Sequence, residues 1–436
     1  MKMNTTIGAL ALGLGIAVTA QAQDVYITGS TAFRGQIFTA LTDLGLTPQN
    51  GSSGGNNSFT CSGTITPIAG LLPTITANEP ALIGNSVNAY CTFSGSAEGV
   101  SALITPGAAS YIDNNATGTG TFSHTGVDLA FSDVWQAVTG FPSPPLEELH
   151  SATDGNNLPY AGIAVQPFAV VENSVANADG INNIKSFDWE VLYGNGNIGI
   201  NFLTGTNLQT EVIAVGRYPL SGTRITMVLD DNPYTASPQQ TLKQWALTST
   251  GGSLPANCPG LASTDGSSPT GTAWVALPLG DGGFANGDGY FSGGNVGKAI
   301  HYSSVNSLTV NYPALAYISW SDAAKLTGGT GQTSGGNEGP ISWDGQNPWT
   351  GGVYPALNGT NAWNTTALVN GGYELWGYEH LYVNNNDVGT WYETTFGPGL
   401  IDAIQYELVR TSPRIAVLES EMKVYRIQDG GTLSHF

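Results

Sequence analysis

Val215-Gly216-Arg217-Tyr218-Pro219-Leu220-Ser221-Gly222-Thr223-Arg224-Ile225-Thr226-Met227 is the stretch whose reading decides the fold. Glu211 to Val215 reads as a strand end and Pro219 as a sharp turn. Ser221-Gly222-Thr223 then starts a helix whose inner side carries Ile225, Val228 and Leu229. The first N–H groups of a helix have no partner inside it, and the helix dipole makes that end favourable for an anion. Glycine at 222 admits a ligand to the backbone, the flanking hydroxyls add donors, and Arg217 offers a planar fork to an oxyanion. The stretch therefore reads as an anion cradle, although an ordinary capped helix after a turn uses the same Ser, Gly and Thr.

Three earlier stretches repeat the pattern. Val25-Tyr26-Ile27 runs as a strand into Gly29-Ser30-Thr31-Ala32-Phe33, after which Phe33, Ile37, Leu41 and Leu44 recur at helical spacing; this puts Ser30 or Thr31 at the helix N-cap. Gly95-Ser96-Ala97-Glu98-Gly99-Val100 places a serine at the start of a helix carrying Val100, Leu103 and Ile104. Val127 to Ser132 alternates as a strand and ends in Ser132-Asp133. Strands alternating with helices indicate a parallel or mixed α/β sheet, where ligands collect at the C-terminal ends of strands.

Elsewhere, the apolar run Ala161–Val171 is long enough to cross from one domain to another. Phe187–Gly194 and Gly293–Ile300 read as helices, Pro313–Trp320 as a returning strand, Tyr373–Val383 as a strand pair, and Gly399–Leu408 as a closing helix. Residues from Gln49 to Tyr90 are rich in Gly, Ser, Asn and Thr and read as a surface excursion, and the glycine-rich stretches 280–290 and 327–352 as loops.

Composition narrows the function. Twelve basic residues against 32 acidic ones give a net charge of −20, which argues against nucleic acid or anionic membranes as partners. A pocket of inward dipoles can still be locally positive on an acidic protein. Lys2, the apolar run Ile7–Val18 and Ala20-Gln21-Ala22 read as a signal peptide over residues 1–22, implying an exported, periplasmic or secreted product that is soluble after cleavage. No later apolar run reaches the ~20 residues needed to span a bilayer. Cys61 and Cys91 bracket one insertion and are the expected disulfide, with Cys258 left free. The five histidines show no metal-ligand spacing, so neither a metal nor a cofactor is expected. Glu374, Glu379 and His380 supply the residue types of a hydrolase, but on one short strand whose neighbours alternate faces. A secreted adhesive or matrix protein would account for the Gly, Asn and Thr loops, yet leaves the four anion stretches without a purpose.

In order, these stretches resemble the phosphate-binding proteins of ABC phosphate importers, which have the type II periplasmic binding fold. Thr28–Phe33 looks like that family's T-G-x-G-x-T-F, Gly95–Val100 like its G-S-S-G-G-V, Val127–Asp133 like its V-D-F-x-x-S-D, and Arg217–Thr223 like its R-x-x-x-S-G-T. Gly294–Gly297, Ala316–Ile318 and Gly372–Leu375 extend the resemblance across nearly the whole mature chain. It implies an α/β fold of two hinge-linked lobes, residues 23–166 with 316–436 and residues 167–315. Phosphate or a similar oxyanion would lie between them, held by Ser30, Thr31, the Phe33 amide, Ser96, Asp133, Arg217, Ser221, Gly222 and Thr223. It further implies a monomer that hands its ligand to a membrane permease and performs no catalysis. Two positions depart from the pattern: Pro219 replaces an aspartate that holds the arginine, and Glu98 replaces a glycine.

Overall fold

The computed structural model describes residues 21–50, 58–105, 107–112, 121–150, 162–231, 242–247, 273–277, 289–306, 308, 311–326, 338–350, 363–387, 389–411, 414–427, 429 and 431–436. Most of the expected signal peptide, Cys258, most of the 280–290 stretch and half of the 327–352 stretch lie outside them. Among the described residues no helix is long and apolar enough to cross a membrane.

The chain is built on one mixed sheet. Its principal strands are β1 (Gln23–Gly29), β2 (Thr47–Asn50), β3 (Ser58–Thr64), β4 (Ser86–Thr92), β5 (Leu129–Ser132), β6 (Ala164–Glu172), β7 (Asn197–Gly199), β8 (Glu211–Val215), β9 (Ala314–Ser319) and β10 (Trp376–Val383). Their spatial order is β7-β8-β9-β6-β10-β5-β1-β4-β3-β2. β1 lies parallel to β4 and to β5, and β8 parallel to β9, as expected where helices make the connections. Those helices include α1 (Arg34–Asp43), α2 (Ser96–Ile104), α3 (Ser186–Asn195), α4 (Gly222–Asp231), α5 (Gly293–Val305), α6 (Trp320–Leu326) and α7 (Gly397–Arg410).

Two strands tie the sheet together. β10 pairs with β6 from Trp376 to Glu379 and with β5 from His380 to Tyr382. β6 continues from Phe168 to Glu172 alongside β9. All nine residues of β6 and all eight of β10 are buried, so neither strand alternates between core and solvent, and the polar Gln166, Glu172, Glu379 and His380 are buried with the rest. The buried side chains separate into two main cores. Val25, Ile27, Ile37, Leu41, Leu129, Phe131, Leu381, Val383 and the inner face of α7 form one. Phe168–Val171, Val212–Val215, Leu315–Ile318, Trp320, Trp343, Trp363, Tyr373 and Trp376 form the other. The buried side chains between 316 and 376, grouped with the first lobe from sequence, thus pack with residues 168–315.

Other expectations are corrected. Residues 58–90 are no surface excursion, because β3 and β4 belong to the main sheet and Phe59, Cys61, Ile75, Leu82, Val87 and Ala89 are buried. The signal was the alternation Val87, Ala89, Cys91 beneath a polar composition. Cys61 and Cys91 carry free thiols. Cys61 stands opposite Ala89 and Cys91 opposite Phe59, so the two are diagonal neighbours. Tyr373–Val383 yields one strand, not a pair. Helix α1 begins beyond Phe33 without a side-chain cap, so neither Ser30 nor Thr31 is its N-cap.

Gly29 ends β1 at φ +117°, and a Cβ there would lie 1.9 Å from the Phe131 carbonyl oxygen. Gly29→Ala must combine a left-handed conformation with overlap against backbone, so urea denaturation should show a loss of roughly 2–5 kcal/mol. A variant as stable as the wild type would mean that β1 does not turn this closely against β5.

Candidate functional site

The four stretches converge. The close turn at Gly29 lets the Ser30 amide donate to the Phe131 carbonyl at 2.8 Å, placing Ser30 and Thr31 at the ends of β1 and β5. Gly95 sits at φ +149°, where a Cβ would meet the Tyr218 hydroxyl at 2.4 Å, and the Ala97 amide donates to the Leu220 carbonyl at 3.1 Å. The start of α2 therefore packs directly on the turn that precedes α4. Gly222 is held as tightly, since a Cβ there would be 2.2 Å from Asp133 Oδ1 and 2.4 Å from Ser96 Oγ. Only glycine permits that approach.

Asp133 lies at the centre and is 1% exposed. Ser96 Oγ donates to its Oδ1, Thr223 Oγ1 donates to its Oδ2 at 3.2 Å, and its own amide donates to Ser96 Oγ at 3.3 Å. Burial pushes the Asp133 carboxyl upward, while Arg217 and the hydroxyls of Thr223 and Ser30 work to lower it.

Arg217 reaches across the same space. Its Nη1 donates to Thr223 Oγ1 at 3.4 Å and its Nη2 to Thr31 Oγ1 at 3.0 Å. Nε and Nη2 also donate to the carbonyls of Tyr290 and Phe291 at 3.2 and 2.9 Å. Desolvation pulls the guanidinium down, opposed by Tyr218, Asp133 and Asp322, and an arginine stays charged under such a shift. These two carbonyls orient the fork.

The other expected residues fall nearby. Ser221 is fully buried, its hydroxyl accepts from the Arg224 amide at 3.3 Å, and Gly222 and Thr223 open α4. The Phe33 amide donates to Ser30 Oγ at 3.2 Å. Glu98 faces the turn opposite, where its Oε2 accepts from the Tyr218 hydroxyl at 2.7 Å; burial raises its carboxyl against the pull of Tyr218 and Ser94. The hydrolase triplet does not assemble: His380 Nδ1 bonds Glu148 Oε1 at 2.5 Å, while Glu379, its neighbour on the strand, is buried with neither carboxyl oxygen hydrogen-bonded among the described residues.

Sequence reasoning missed a second set of charges behind the first. Asp322 on α6 bonds Arg34 Nη2 at 3.3 Å and Lys325 Nζ at 2.9 Å. Burial works to raise this carboxyl, but Lys325, Arg34 and Arg217 together bring it down to about 2. Asp429 accepts from the Trp135 amide at 2.7 Å and fixes the segment after Asp133; burial pushes it up to about 6. These partners are 288 and 294 residues apart in the chain, so no local spacing announces them.

No family model matches the sequence, and no curated protein does. The solved structures it resembles include phosphate-binding proteins. One is described as a phosphate ABC transporter substrate-binding protein, with phosphate bound, from Clostridium perfringens; its TM-score is 0.42 at 12% identity, over 91% of this chain and 99% of that one. An ABC-type phosphate transport receptor from Vibrio cholerae has a TM-score of 0.36 at 12% identity, over 86% and 93% of the two chains. PstS from Borrelia burgdorferi gives 0.36 at 10%, over 91% and 98%.

Arg217→Ala would strand two buried carbonyls and leave Asp133 and Asp322 without a shared cation. We expect a stability loss of about 3 kcal/mol or more by urea denaturation in ligand-free buffer. Wild-type stability would show that the guanidinium carries no structural load.

Proposed function

We propose that this cleft binds a tetrahedral oxyanion, phosphate in the first place, between two lobes joined through β6 and β10. The observation behind the reading is the convergence of Thr31, Ser96, Asp133, Arg217 and Thr223 from four distant stretches into one buried cluster of hydroxyls, a guanidinium and a carboxylate. Hydroxyls are rotors, so Ser96 and Thr223 can turn from Asp133 to donate to an anion, with the first amides of α4 and the Arg217 fork completing the cradle. One lobe would comprise residues 23–163 with the segment from Leu381 to Ala416, the other the residues between the crossings. The chain would be a monomeric exported binding protein that passes its ligand to a membrane permease, with the cleft closing about the crossing strands.

Calorimetry with phosphate, arsenate, sulfate and molybdate tests the reading, and binding should also raise the melting temperature by mass action. No heat and no thermal shift across the panel at millimolar concentration removes it.

Selectivity rests on Asp133. Its carboxylate accepts a hydrogen bond from the hydroxyl of a partly protonated phosphate, but meets fully ionised sulfate as acceptor against acceptor and charge against charge. Asp133→Asn supplies a donor at the same size, so the phosphate-to-sulfate affinity ratio should fall by at least about tenfold, roughly 1.4 kcal/mol. An unchanged ratio would mean that Asp133 does not face the ligand.

A further inference from the structure

Beside this cleft lies a carboxyl group that the cradle does not use. Glu379 is fully buried on β10, and neither of its carboxyl oxygens has a hydrogen-bond partner among the described residues. It stands at the last position paired with β6, immediately before β10 pairs with β5 at Ser132, the residue preceding Asp133. Gly377, two residues earlier on the same strand, packs so closely there that a Cβ would be 2.7 Å from the Asp133 carbonyl oxygen. The register that sets His380 opposite Ser132 places Glu379 opposite Asp133, and alternation along the strand turns it to the face away from the His380–Glu148 pair.

Two buried carboxyl groups this close cannot both be charged, and their surroundings decide which keeps the proton. Asp133 has Ser96, Thr223 and the positive charge of Arg217 to hold it as an anion. Burial first, and the Asp133 charge after it, push the Glu379 carboxyl well above the ordinary range. On the basis of the oxyanion reading above, we propose that Glu379 and Asp133 form a carboxyl pair in which Glu379 carries the proton and Asp133 the charge. The cleft then offers one acid and one acceptor to a partly protonated tetrahedral oxyanion. The charged and titratable groups around Glu379 are Asp133 from the end of β5, Arg217 beyond it, and Tyr382 on its own strand, whose hydroxyl Glu379 also influences.

The sign of the pH dependence follows. Below its raised pKa, Glu379 is neutral and donates; above it, the cleft gains a second negative charge and repels the ligand. Phosphate affinity of wild type and Glu379→Gln should be measured by calorimetry between about pH 6 and pH 9, the ionisation of phosphate itself being common to both. At the acid end the two should agree within about threefold, since glutamine imitates the neutral acid. Towards the alkaline end the wild type should weaken by at least about tenfold relative to the variant. A ratio that stays flat across the range, with no protonated carboxylic acid band in the infrared spectrum, overturns the pair, whereas no phosphate binding by the wild type at any pH overturns the oxyanion reading itself. Should Glu379→Gln fail to fold, infrared difference spectra of the wild type decide. Phosphate added at neutral pH should shift the carbonyl band of a protonated carboxylic acid, and a spectrum without that band overturns the proposal.

Discussion

The cleft depends on one relay of charge: Arg217 donates to the Thr223 hydroxyl, and that hydroxyl donates to Asp133. A guanidinium and a carboxylate removed from water are each costly, and they are tolerated when each lowers the cost of the other and every remaining lone pair or proton is occupied. A hydroxyl between them preserves the attraction without a direct ion pair that a ligand would have to break. The surrounding glycines follow from the same requirement. Gly29, Gly95 and Gly222 stand where any side chain would push the polar groups apart, and Gly222 in particular brings a helix start within contact of the carboxylate.

Behind the relay is a second tier that has no ligand to wait for. Arg34 and Lys325 both hold Asp322 beside Arg217, two positive charges against one negative. This tier adds a positive charge next to Arg217 in a chain with a net charge of −20. An anion entering such a site meets local groups more than the distant surface, since charges beyond a Debye length of ~8 Å are screened.

The sequence was most legible where local rules act alone. The strand at Glu211–Val215, the helix beginning at Gly222 and the closing helix all lie where periodicity and turn chemistry put them. The four polar stretches were also recognisable, because a small hydroxyl residue at a strand end is a local event. Two kinds of feature were obscured. Composition hid β3 and β4, whose outer faces carry the half-buried Ser58, Ser62, Ser86, Asn88, Tyr90 and Thr92 while alternate residues line a core. Long-range electrostatics hid Asp322, Asp429 and the role of Glu379, since a buried carboxyl reads in sequence as an ordinary surface one. The carbonyls of Tyr290 and Phe291 that hold Arg217 could not be read at all, because backbone acceptors leave no signature in residue type.

The change of partner along β10 falls between Glu379 and His380. Neighbouring strands in a sheet are rotated by roughly 20–25° on average, so a strand that leaves one neighbour for another concentrates the difference in twist at the peptide between them. Glu379 and His380 flank that peptide, so the carboxyl of the proposed pair sits on the seam where the two halves of the sheet are joined.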